Sequence, residues 1–167
     1  MPRVSTPSAL VASLILAACS DKPAPPAQPA APVSAAAPAT IESVTFAPAL
    51  GVDLAASTKA PSGLYYRDLV AGTGAVVANG QMLSMRYTGW LPDGTRFYGN
   101  EPDGAPLPFV LGAAGIIEGW NLGILGMRVG GRRQLIIPSA LGYGPYGNGP
   151  IPPNAIMVFT VEVLSVQ

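Results

Sequence analysis

Histidine is absent from the chain, and cysteine occurs once, at position 19. Together these absences exclude histidine-based catalytic triads, histidine-dependent zinc sites and internal disulfides. Charge is scarce too: nine Lys and Arg balance nine Asp and Glu, and charged residues make up 11% of the chain. No basic field exists to hold nucleic acid, and no acidic block suggests a charged tail. The longest apolar run, Ala9 to Ala18, is too short to cross a bilayer as a helix. What remains is 167 residues, room for one ordinary domain with appendages, and an uneven supply of 20 Gly and 19 Pro.

The chain opens like an export signal. Arg3 precedes the apolar run, which has the length of a signal-peptide core and ends Leu16-Ala17-Ala18-Cys19. That ending resembles the bacterial lipobox, which implies a signal peptide over 1–18, cleavage before Cys19, and acylation of its thiol and of the new amine. Several acyl chains give stable membrane residence where one does not. Ser20, and not an aspartate, follows the cysteine, so the expected location is the outer membrane, facing the periplasm. From Asp21 to Thr40 the chain is rich in Pro, Ala and Ser, with prolines at 23, 25, 26, 29, 32 and 38. Such a segment cannot form a continuous helix or a core. It reads as an extended tether, reaching roughly 60 Å at about 3.1 Å per residue. Tether and transitional segment together occupy 19–61. In the transitional part, Val44, Phe46, Leu50, Val52 and Leu54 are apolar enough to pack, but nothing in the sequence says where.

From residue 62 to 167 the texture is that of a folded domain: short apolar runs separated by turn signals. Strands are expected at 63–70, 81–91, 95–98, 107–111, 131–137 and 155–166. Leu83, Met85 and Tyr87 share one face of the second, opposite Ser84 and Arg86. Pro92-Asp93-Gly94 turns that strand into the third as a hairpin. In the last strand Met157, Phe159, Val161 and Val163 form a buried face, opposite the mixed Val158, Thr160 and Glu162. One short helix is expected at 118–127, with Trp120, Ile124 and Met127 on one side. The fold class is therefore α+β: a curved antiparallel sheet of five or six strands wrapped around one short helix.

Several motifs follow one another at fixed spacing: Tyr87-Thr88-Gly89, Asp93-Gly94-x-x-Phe97, Pro106-x-x-Phe109-x-Leu111-Gly112 and Ile116-Ile117-x-Gly119-Trp120. Met127-x-Val129-Gly130, Tyr143-Gly144, Ile151-Pro152-Pro153-Asn154-Ala155 and Phe159-x-Val161-Glu162 complete the series. In order and spacing they resemble the FKBP-type peptidyl-prolyl cis/trans isomerase domain, from about 63 to 167. The resemblance implies a pocket with Trp120 as the floor under a proline ring and the Ile117 N–H as donor to a carbonyl. It makes Tyr87, Phe97, Ile116 and Phe159 walls, Tyr143 a hydroxyl donor on an overhanging loop, and Ile151 the residue that closes that loop. Gly119 is expected to let the backbone approach the pocket. Leu107 stands where many members carry a second aromatic ring ahead of Phe109.

Such a site needs no cofactor or metal, and none is expected. Turning an X–Pro bond breaks amide resonance, at a barrier of about 18–20 kcal/mol. The twisted amide is less polar than the planar one, so a dry aromatic pocket favours it. Expected partners are proline-containing unfolded or exported polypeptides, weakly held macrolides, and the membrane through the N-terminal lipid; a monomer is expected. Tyr98 departs from the family, which usually has an aspartate there that bonds the first tyrosine. Asp103, in the following loop, is the carboxylate that could partly substitute for it. The departure lowers the expected turnover. It also keeps a second reading open, a catalytically weak chaperone or adaptor that holds extended proline-containing segments.

Overall fold

The computed structural model describes residues 39–101 and 104–167. The export signal, Cys19, the tether up to residue 38, and Asp103 lie outside the described residues.

Among the described residues there are seven strands: β1 (Thr58–Lys59), β2 (Tyr65–Val70), β3 (Met82–Trp90), β4 (Arg96–Gly99), β5 (Leu107–Val110), β6 (Arg132–Ile137) and β7 (Met157–Val166). They pair antiparallel in the order β1-β2-β6-β7-β3-β4, and β5 shares the free edge of β3 with β4. Six of these match the expected strands. The seventh, β1, is two residues long, too short to leave a pattern; only its pairing of Thr58 with Tyr66 and Lys59 with Tyr65 defines it. Register shifts at Asp68/Val70, Ser84/Met85 and Gly89/Trp90 insert bulges that bend the sheet.

The inner face of that bend takes the helix, α1 (Glu118–Ile124). It is shorter than the 118–127 expected. Leu125 already has extended backbone (ψ 132°), and Gly126 follows at φ 78°. Ile124 and Met127 are nevertheless buried, so the apolar spacing reflects the core and outlasts the helix. α1 lies very close to β6. A Cβ on Gly119 would come within 2.4 Å of Ile137, and one on Gly123 within 2.7 Å of Leu135. The close approach that requires glycine at 119 is the one to the sheet. The main core, with Leu83, Met85, Leu135, Ile137, Phe159 and Val161 among its members, fills this inner face.

The outer face carries a second apolar layer. Ile41, Tyr65, Ile136, Ile156 and Val158 are buried there, with Val44, Phe46, Leu50, Val52 and Leu54 packed against them. The segment that the sequence leaves without a place thus lies across the back of β6 and β7. Polar contacts help to fix it: Gln134 Nε2 donates to the Leu50 carbonyl (2.8 Å), Arg67 Nη2 to the Gly51 carbonyl (2.8 Å), and the Ala47 N–H to the Pro92 carbonyl (2.8 Å). This layer is why Val158 and Thr160, on the mixed face of β7, are themselves buried.

At one end of the layer the Glu42 carboxylate accepts hydrogen bonds from Lys59 Nζ and the Tyr65 hydroxyl. The bond from Lys59 first, then that from Tyr65, pull its pKa from 4.5 down to about 2. A depressed carboxylate pKa gives stability that is present above the unfolded value and lost as pH falls through the folded one. The urea midpoint is expected to fall between pH 4.5 and about 2 by more in the parent than in Glu42→Gln. Equal slopes in the two proteins would remove this contribution.

Candidate active site

The residues that build the site reach it from six places in the chain. Strands β3 and β7 are paired so that Tyr87 sits opposite Val161, and Gly89 opposite Phe159. Both aromatic rings belong to the inner face. The lack of a side chain at Gly89 matters: a Cβ there would meet Phe159 at 2.6 Å and Phe97 at 2.7 Å. With glycine at 89, Phe97 packs edge-on to Phe159, with ring centroids 5.5 Å apart. Trp120 enters from α1, whose depth against β6 is set by Gly119 and Gly123. It is 7% exposed and lies edge-on to Tyr87 (5.0 Å) and Phe159 (5.4 Å), with Phe109 at 5.7 Å. Edge-to-face rings at these distances attract beyond their buried area, so the cluster is rigid as well as apolar.

Above Trp120 is a cavity of about 180 Å³. Tyr87, Tyr98, Leu107, Ile116, Ile117, Trp120, Tyr143 and Phe159 line it, together with Gly115. Eight sequence-predicted residues are thus brought to one space. Three others stand one layer back. Phe97 supports Phe159 and Tyr98, Phe109 supports Trp120, and Ile151 is 3% exposed within the core. Ile151 also closes the overhanging loop, through paired backbone hydrogen bonds with Asn148 (2.9 and 3.0 Å). Cys19, the predicted lipidation residue, lies outside the described residues.

The polar groups of the site are few and uncommitted. Ile117 caps α1 with extended backbone (φ −62°, ψ 141°); its carbonyl accepts from Trp120 N–H (3.0 Å). Its own N–H has no acceptor among the described residues, as expected of a first-turn amide. The Trp120 Nε1 donor is also buried and unpartnered there. An unmade buried hydrogen bond costs about 1–3 kcal/mol, and functional sites are where such costs are found. Burial, and then the neighbouring Tyr143 and Tyr98, push the Tyr87 phenol above its ordinary pKa, which keeps it protonated as a donor. Among the described residues, no charged side chain lines the cavity.

Two residues escape a reading of the sequence. Gly115 lines the cavity, but in sequence it is one loop glycine among many. Asn100 works as a clamp. Its Oδ1 accepts from Tyr87 N–H (2.8 Å), and its Nδ2 donates to the carbonyls of Met85 (3.3 Å) and Ala105 (2.9 Å). It ties β3 to the start of the segment that carries Leu107. An asparagine after a strand reads as turn chemistry, so only the folded chain reveals that its partners are distant.

An uncharged aromatic cavity between a bent antiparallel sheet and one short helix, with a free amide at its lip, defines a binding site for a compact apolar group attached to a carbonyl. The comparisons with known proteins agree. The family model for the FKBP-type peptidyl-prolyl cis-trans isomerase matches residues 74–164, and the chain belongs to that family. The chain is similar to an FK506-binding protein of Neisseria meningitidis serogroup B, with 44% identity over 105 residues, 62% of this chain and 96% of that protein. It is 48% identical over 111 residues to FK506-binding protein 4 of Rhizopus delemar, covering 66% of this chain but only 29% of that longer protein. Among solved structures, FkpA from Escherichia coli aligns with a TM-score of 0.63 and 37% identity, over 67% of this chain and 52% of that one.

Proposed function

We propose that this protein catalyses cis/trans isomerisation of X–Pro bonds in exported polypeptides, outside the cytoplasm. The observation that carries the catalytic part is the cavity over Trp120: apolar, uncharged, and flanked by the Ile117 N–H. A proline ring seated on Trp120 leaves the preceding carbonyl free to turn. As resonance is lost the oxygen becomes less polar, and surroundings without water or charge disfavour the planar form relative to the twisted one. The Ile117 amide holds a substrate carbonyl, so that rotation occurs about a fixed segment. No bond to the protein forms, so the chain's lack of histidine and of a second cysteine costs it nothing. A chain whose refolding is limited by proline isomerisation, slow when uncatalysed, is the test: substoichiometric protein should abolish the slow phase. An unchanged slow phase would count against the proposal.

The extracytoplasmic part rests on the sequence Leu16-Ala17-Ala18-Cys19 and on the tether that follows. We read the mature protein as starting at an acylated Cys19, held at the outer membrane with the domain in the periplasm. Mass spectrometry of the mature N-terminus is expected to find a lipid-modified Cys19. A free amine on a later residue would overturn this.

The relatives named for FK506 binding make a macrolide a reasonable ligand for the same cavity. With Tyr98 at its lip and Leu107 in place of an aromatic ring, the hold on a macrolide is expected to be weak.

A further inference from the structure

Among the described residues, the walls of the cavity offer donors and no fixed negative charge. Three tyrosines, Tyr87, Tyr98 and Tyr143, line it, each with a phenol hydroxyl. None of the three donates to a protein acceptor among the described residues, and neither does the Ile117 amide. The nearby carboxylates among those residues are committed elsewhere. Glu101 accepts from the Thr88 hydroxyl (3.3 Å) and from Arg132 (3.4 Å), beside a separate cleft lined by Arg86 and Glu162. Glu118 accepts from Asn121 Nδ2 (3.3 Å).

Tyr98 differs from the other two phenols in where it stands. It is 43% exposed, while Trp120, at the floor, is 7% exposed. Its ring packs edge-on to Phe97 at 5.8 Å, and its hydroxyl reaches the overhanging loop, where a Cβ on Gly149 would lie 3.1 Å from it. It is thus held between β4 and the loop, at the mouth of the cavity. A proline ring goes to the floor; the side chain beside it must pass the mouth.

We propose that Tyr98 is a specificity-determining residue that makes the site favour X–Pro segments in which X carries a carboxylate. This deepens the isomerase reading and rests on it. A phenol donating to a carboxylate makes a charge-assisted hydrogen bond, shorter and roughly twice as strong as a neutral one. An acidic side chain at the mouth meets such a donor and, among the described residues, no repelling charge. A lysine ammonium there meets the phenols only as neutral acceptors, the Ile117 amide only as a donor and, among the described residues, no carboxylate. The formal net charge of the chain is zero, so no overall field supplies the same preference.

The test uses the full chain, Tyr98→Phe and Tyr98→Asp, with the peptides Ala-Glu-Pro-Phe, Ala-Gln-Pro-Phe and Ala-Lys-Pro-Phe. NMR exchange gives kcat/KM, and chemical-shift titration gives Kd for the same three. The glutamine peptide separates charge from size. The parent is expected to prefer the glutamate peptide over the lysine peptide by about fivefold in both quantities. Tyr98→Phe should cut that preference to about twofold, and Tyr98→Asp should invert it. Equal constants for the two peptides in the parent would overturn the proposal, as would a preference left unchanged by both substitutions. Absence of turnover on all three peptides would instead overturn the isomerase reading, and the Kd ratio would still decide the selectivity.

Discussion

Replacing Trp120 with leucine is expected to lower kcat/KM on a proline peptide by about 10- to 100-fold while the chain remains folded. The indole is the central ring of the site. Tyr87, Phe159 and Phe109 all lie within 5.7 Å of it, centroid to centroid. A leucine fills part of the volume but offers no flat floor, and the edge-to-face contacts are lost with the ring. Trp120→Ala is the poorer probe, because truncating a buried aromatic to alanine itself costs about 3–5 kcal/mol. Peptide turnover and urea unfolding measured on one preparation of Trp120→Leu separate the two effects. A folded variant with parental turnover would make Trp120 a core residue and move the site elsewhere.

A fragment that starts at Ser62 is expected to be far less stable than one that starts at Ala39, and to be unfolded or molten. The change in composition near 62 invites that cut. Yet the cut removes β1, the Glu42 cluster and the whole layer from Ile41 to Leu54. Ile136, Ile156 and Val158, all at 3% exposure or less, would face water, as would part of Tyr65. Fully burying one large apolar side chain contributes about 1.5–3 kcal/mol, so uncovering four of them in part costs about 4–6 kcal/mol. Whole domains are stable by only about 5–15 kcal/mol. Gln134 would also lose its acceptor on Leu50. Urea midpoints of the two fragments, with a dye that reports exposed apolar surface, decide this. Equal midpoints would mean that the outer layer adds nothing.

How far the sequence reveals this molecule depends on the range of the interaction that creates each feature. Strand alternation is local, and so β3 and β7 could be placed from Leu83, Met85 and Tyr87 and from Met157 to Val163. The cavity was legible through the family resemblance that the motifs carry, which implied that Tyr87, Ile116, Ile117, Trp120, Tyr143 and Phe159 meet in one pocket. The end of α1 was not legible. Ile124 and Met127 keep the helical spacing, but Leu125 has already left helical backbone and Gly126 follows at φ 78°. The partner of residues 41–54 was hidden because the other half of that layer, Tyr65, Ile136, Ile156 and Val158, is scattered over three later stretches of chain. Asn100 was hidden likewise, since its bonds to Tyr87 and Ala105 exist only once β3, β4 and β5 have met.

The same contrast applies within the site. Phe97 and Phe109 belong to the motifs but support the pocket from behind, whereas Gly115 belongs to no motif and lines it. Spacing identifies which residues converge; which atoms face the empty volume is decided by packing, as the edge-on contact of Phe97 with Phe159 shows.

The central claim is that an uncharged cavity over Trp120 turns X–Pro bonds by differential binding alone. It is tested most directly by two-dimensional NMR exchange on a peptide such as Ala-Leu-Pro-Phe, with substoichiometric full chain and no coupling protease. The account predicts cis–trans exchange cross-peaks that appear on adding the parent, disappear with Trp120→Leu, and keep their intensity in a chelator, since no metal takes part in the mechanism. Binding of the peptide to the parent without any acceleration of exchange would contradict the account and leave a module that holds proline-containing segments without turning them.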